Sequence, residues 1–114
     1  MNTNIKLERM EHDFVREISE IIRDEIKDNK INQVTINSVD ITNDLSYAKV
    51  YFTTLNDDKK EEILSALNKA SNFIRKMLFD KVEIRKMPTL IFVYDTSIEY
   101  GKKVEEIIER IKEE

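Results

Sequence analysis

Residues 69–97 read KASNFIRKMLFDKVEIRKMPTLIFVYDTS, and the hydrophobic period changes twice within them. Ala70, Ile74, Met77 and Leu78 keep helical spacing and continue a register begun by Ile63 and Leu67. After Asp80, Val82 and Ile84 turn to alternation. Pro88, the one proline, cannot sit inside a helix and biases Met87 toward extended backbone. Leu90, Ile91, Phe92, Val93 and Tyr94 then form a dense apolar strand, suited to mid-sheet or to a position well covered by helices. Asp95, Thr96 and Ser97 cap a last helix. Its Ile98, Val104, Ile107, Ile108 and Ile111 make a stripe expected to be buried, with Gly101, the sole glycine, lying early in it. A helical crossover before the strand permits parallel pairing with an earlier strand.

Working outward, Asn56, Asp57 and Asp58 offer capping oxygens ahead of the middle helix, and Glu61 and Glu62 place negative charge in its first turn. Ser71 and Asn72 sit in the middle of that helix. Their short polar side chains compete for backbone hydrogen bonds, so a kink is expected at Ala70-Ser71-Asn72 with both halves on one core. Upstream, residues 47–54 alternate Ala48, Val50 and Phe52 against Tyr47, Lys49 and Tyr51. Val34 and Ile36 alternate too, and Val39 and Ile41 resume one position out of phase, which predicts a bulge near Asn37 and Ser38. Thr42-Asn43-Asp44 between the two strands marks an antiparallel hairpin. A first amphipathic helix over residues 5–27 carries Leu7, Met10, Phe14, Ile18, Ile21, Ile22 and Ile26 on one face. The other face bears Arg9, Asp13, Arg16, Glu20 and Arg23, read as a solvated stripe of weak ion pairs rather than as direct RNA contacts. The order is helix, strand, strand, kinked helix, strand, helix: an α+β fold whose three-stranded sheet is covered mainly on one face.

At 114 residues, one domain over 1–114 is the expectation, with enough burial for an unassisted core. The chain has no cysteine, so disulfides, thiolate metal sites and thiol nucleophiles are excluded. No apolar run approaches the ~20 residues of a membrane helix, and the first residues lack a signal peptide's apolar core. A soluble cytoplasmic protein with no membrane association is expected. His12 alone cannot build an imidazole metal cluster and reads as a solvated helix residue. Asp57 and Asp58 read as caps rather than a catalytic pair. A single glycine excludes phosphate loops and dinucleotide fingerprints. No enzyme, metal or cofactor is expected.

The net charge of −4 disfavours indiscriminate attraction to phosphate, but the charge is segregated. Residues 69–86 hold six positive side chains (Lys69, Arg75, Lys76, Lys81, Arg85, Lys86) against Asp80 and Glu83, a local +4. From residue 97 onward four positive residues face six glutamates, a local −2. A kink would also free amides that suit phosphate oxygens. On charge alone, the window reads equally well as a patch that balances an acidic protein. Phe73, Ile74, Met77, Leu78 and Phe79 read as core rather than a base-stacking platform. Tyr47 and Tyr51 share one strand face and are a lesser stacking candidate.

The run DLSYAKVYF over residues 44–52 resembles a signature of the bacterial ribosome-binding factor A family. So does the region from Ala70, with Ile74-Arg75, Ile84-Arg85, Pro88, Leu90 and Phe92, and Asp95 and Ser97 in the family's order and spacing. The likeness covers nearly the whole chain. It implies a KH-like fold of the second type, in which an interrupted helix with an Ala-x-Gly kink replaces the Gly-x-x-Gly loop. Here asparagine (Asn72) stands for the glycine. It also implies a non-catalytic factor that binds the small (30S) ribosomal subunit and its 16S rRNA and assists late maturation and rRNA processing, with a role in cold growth. The expected RNA-binding residues are Lys69, Ser71, Asn72, Arg75, Lys76, Arg85 and Lys86, on a protein that is monomeric when free. The alternative is a protein-interaction module acting through the acidic last helix or the charged face of the first, without RNA contact.

Overall fold

The computed structural model describes residues 3–31, 33–55 and 57–113, with backbone alone at 3, 4, 57 and 98. The elements run α1 (Thr3–Glu25), β1 (Val34–Ile41), β2 (Tyr47–Thr54), a 3-10 turn (Asp57–Lys59), α2 (Lys60–Lys81), β3 (Thr89–Tyr94) and α3 (Ser97–Glu113). The sheet order is β1-β2-β3, with β1 antiparallel and β3 parallel to the central β2. β3 is therefore an edge strand, covered on one face by α2 rather than set mid-sheet.

The register shifts between Ile36 and Ser38, so Asn37 is the extra residue of a bulge. That insertion returns Val39 and Ile41 to the face already occupied by Ile36. Strand residues Ile36, Val39, Ile41, Ala48, Val50, Phe52, Leu90 and Phe92 meet Phe14, Ile18, Ile21 and Ile22 of α1 and Ile63, Leu67, Ile74 and Leu78 of α2 in one core. The opposite sheet face stays open, with Tyr47, Lys49, Thr89 and Ile91 exposed.

The hairpin is held by Thr42, whose Oγ1 accepts from the Ser46 and Tyr47 amides at 3.1 Å each, and by Asp44, which accepts from Ser46 N at 3.0 Å. Leu45 adopts φ 62°, a left-handed conformation that costs a non-glycine residue on the order of 1–2 kcal/mol. Its side chain packs against the core. Ser46 O also accepts from Thr89 N at 3.0 Å, so the same turn starts the β2–β3 pairing.

Three expectations need correction. The helix is not interrupted at Ala70-Ser71-Asn72: α2 runs through them as one α-helix, and none of these residues has positive φ. Asn72 is exposed, so water satisfies its amide and removes the competition for the backbone. No side chain caps α2 at Lys59; the 3-10 turn leads into the helix instead, with Asn56 and the Asp57 side chain outside the described residues. The stripe of α3 is not buried. Val104, Ile107, Ile108 and Ile111 are all exposed, Ile111 to 67%, while the Ile98 side chain lies outside the described residues. Helix α3 has no extensive contact with any other element. It raises the radius of gyration to 16.4 Å, against about 13 Å for a compact chain of this length.

Candidate nucleic-acid interface

The basic stretch folds as the outer face of α2 and the connection, residues 82–88, that leads to β3. With Ile63, Leu67, Ile74 and Leu78 committed to the core, helical geometry turns Lys69, Asn72, Phe73, Lys76, Phe79 and Asp80 outward. Phe73 and Phe79 are 45% and 54% exposed, which corrects their reading as core. They lie three residues to either side of Lys76, about 60° around the helix in each direction. Apolar identity alone hid this: the buried stripe was already complete without them.

Arg75 has a different position from the other cations. It is half-buried, and its Nε and Nη2 donate to the carbonyls of Pro88 (2.9 Å) and Met87 (2.7 Å). The side chain pins the connection against α2. Pro88 is fully buried at the same place. Val82, Ile84 and Met87 pack on the core, leaving Arg85 and Lys86 exposed between them. The charge of Lys86 reaches Asp44, whose carboxyl is held below its ordinary range chiefly by the Thr42 hydroxyl and then by Ser46.

Of the expected site residues, Asn72, Arg75 and Lys76 come together with Phe79, Asp80 and Met87 around a groove of about 470 Å³. Lys69 lies instead toward the first half of α2, lining a separate depression with Lys30 and Glu62. Ser71 is half-buried, and Arg85 and Lys86 stand outside the groove. A second groove, of about 480 Å³, joins Lys6, Arg9 and Arg16 of α1 to Lys81 and Glu83. Lys81 is visible in the sequence as part of the basic window; the α1 cations are not, because only tertiary packing sets them beside it. Arg16 is engaged by Asp13 at 3.1 Å and Arg23 by Asp24 at 2.9 Å, as a solvated stripe of ion pairs would be. Among the described residues no cluster of side chains could hold a metal ion, and no helix is long and apolar enough to cross a membrane.

Residues 6–108 match the family model described as Ribosome-binding factor A. A Staphylococcus epidermidis protein of that name is 42% identical over 109 residues, covering 95% of this chain and 94% of the relative. One from Lactobacillus johnsonii is 40% identical over 111 residues, covering 96% and 90%. The crystal structure of the Thermus thermophilus factor superposes with a TM-score of 0.70 at 26% identity, over 75% of this chain and 92% of that one. A homology model of the Thermus thermophilus factor, fitted into a cryo-EM map of its complex with 30S, has the same fold (TM-score 0.65, 23% identity, 79% and 96% covered). The α+β, KH-like architecture expected from the resemblance is the one observed.

Proposed function

The chain belongs to the ribosome-binding factor A family, and we propose that it binds the small ribosomal subunit through 16S rRNA and assists its late maturation without catalysing a reaction. The observation that carries the reading onto this chain is the outer face of α2. The side chains of Lys69 and Lys76, with that of Arg85 on the adjoining connection, make no ion pair or hydrogen bond among the described residues, and Lys86 beside Arg85 acts on Asp44 without a close ion pair. Exposed, unpaired cations on a net acidic protein form a local phosphate-binding surface. The two grooves beside α2 extend it toward α1 and toward Met87. The complex described for the Thermus thermophilus protein supports the same partner. A single domain, acting as a free monomer in the cytoplasm and contributing to growth in the cold, completes the proposal.

The test is co-sedimentation with small subunits across a salt series. Retention weakens as salt rises, because displaced counterions drive phosphate binding. Lys76→Glu with Arg85→Glu, both exposed and unpaired, removes retention while leaving the melting temperature unchanged. Retention that ignores salt and survives both reversals overturns the reading in favour of a protein contact through α3 or the charged face of α1.

A further inference from the structure

We propose that the groove between α2 and residues 82–88 is a subsite for one unpaired RNA base, stacked on Phe79 and read by Asp80, with guanine the preferred occupant. This rests on the rRNA-binding reading and adds to it what the surface selects.

Phe79 presents a half-exposed aromatic ring to a groove also lined by Asn72, Arg75, Lys76, Asp80 and Met87. The groove's size, about 470 Å³, falls within the roughly 300–1,000 Å³ of small-ligand clefts. One wall is rigid: the Arg75 guanidinium is fixed by its bonds to the Met87 and Pro88 carbonyls, so the groove keeps its width. An exposed ring one helical turn from a fixed guanidinium, in the same groove, suits a flat, π-bearing ligand. Unpaired bases meet that description, and aromatic side chains recognise them by stacking.

Asp80 distinguishes base from phosphate. It is exposed, has no ion-pair or hydrogen-bond partner among the described residues, and lines the groove one residue beyond Phe79. A carboxylate repels a phosphate, so phosphates fall to Lys76 and to Arg85 and Lys86 on the flank. It accepts hydrogen bonds from a base edge. Guanine offers two adjacent donors, N1–H and the N2 amino group, which match the two carboxylate oxygens in a paired, charge-assisted geometry. Adenine and cytosine offer one amino donor beside an acceptor nitrogen that a carboxylate repels. Uracil offers one N–H between two carbonyls. An acidic peptide could use the same lysines, but Asp80 would oppose it.

The experiment uses the full chain and short fluorescein-labelled uridine oligonucleotides carrying one central guanosine, adenosine, cytidine or uridine, at low salt. The guanosine oligonucleotide is expected to bind about tenfold more tightly than the all-uridine one. Phe79→Ala lowers its affinity by about tenfold, and Phe79→Tyr restores it. Asp80→Asn collapses the preference for guanosine without abolishing binding. Equal binding of all four oligonucleotides, or parental affinity in Phe79→Ala, overturns the subsite. If in that case Lys76→Glu with Arg85→Glu still releases the protein from small subunits, the subsite alone falls and the rRNA reading stands; if retention ignores these reversals as well, both fall. Phe79→Ala that loses affinity for nuclease-treated subunits and not for RNA assigns the groove to a ribosomal protein and overturns the proposal.

Discussion

Arg75 shows how a single side chain changes meaning with its surroundings. In the sequence it is one more cation in a basic window; in the fold, two of its nitrogens hold the carbonyls of Met87 and Pro88. Charge-assisted bonds of this kind contribute about 1.5–3 kcal/mol each, and lysine cannot reproduce the paired geometry. Arg75→Lys should therefore lower stability by about 1.5–3 kcal/mol in urea unfolding; an unchanged midpoint would show that the clamp carries nothing. No spacing rule could have revealed the clamp, because its acceptors lie 12 and 13 residues away across a turn of the chain. Asp95 was more legible, since a carboxylate just before an apolar helical stripe signals a cap. Its Oδ1 accepts from Ser97 N at 3.0 Å and its Oδ2 from Asn37 Nδ2 at 2.9 Å, and Ser97 and Asn37 hold its carboxyl below the ordinary 3.8. A depressed folded-state value means that the ionised carboxylate supports the fold. The contribution is present above the unfolded value and lost as pH falls through the folded one. The amide signal of Ser97 should accordingly move only in acid, below the normal carboxylate range, and Asp95→Asn should abolish that movement.

Element by element, the hairpin pairing and its bulge were legible, because a period of two makes any phase slip visible, whereas the left-handed Leu45 of its turn was not. Helix α2 was legible in length and face but not in continuity. Ser71 and Asn72 favour breaks only where their side chains turn back on the backbone, and here Asn72 faces water. The consequence has a sign. On an unbroken helix Asn72→Ala stabilises by roughly 0.5 kcal/mol and Asn72→Gly destabilises by a few tenths. A left-handed kink would reverse the order, with glycine the better residue. Thermal melts of the two variants decide between them. Helix α3 was read correctly as amphipathic, yet periodicity records only that a stripe exists and not what covers it. Ile107 and Ile111 are 55% and 67% exposed. Removing residues 97–114 should shift the melting temperature by no more than about 3 °C, and a larger fall would show that α3 packs on the body of the protein.

Across the whole molecule, one core divides the surface into unlike regions. Helices α1 and α2 close one sheet face and turn their cations outward; the other face is open and carries Tyr47, Lys49 and Ile91; α3 extends with an acidic balance. The overall charge of −4 conceals this division, which is why composition alone left the partner undecided. The segregation of charge was visible in the sequence, and the grooves were not, since each is assembled from elements far apart along the chain. Because the chain has no cysteine, a single introduced one gives an unambiguous attachment point. Iron–EDTA tethered at Lys76→Cys, at Lys49→Cys on the open sheet face or at Glu105→Cys on α3 reports which face meets 16S rRNA through local strand cleavage. Strong cuts from position 76, with little or none from 49 and 105, are the expected pattern. Cleavage from 105 or 49 with none from 76 would contradict the assignment of the α2 face as the RNA-binding surface.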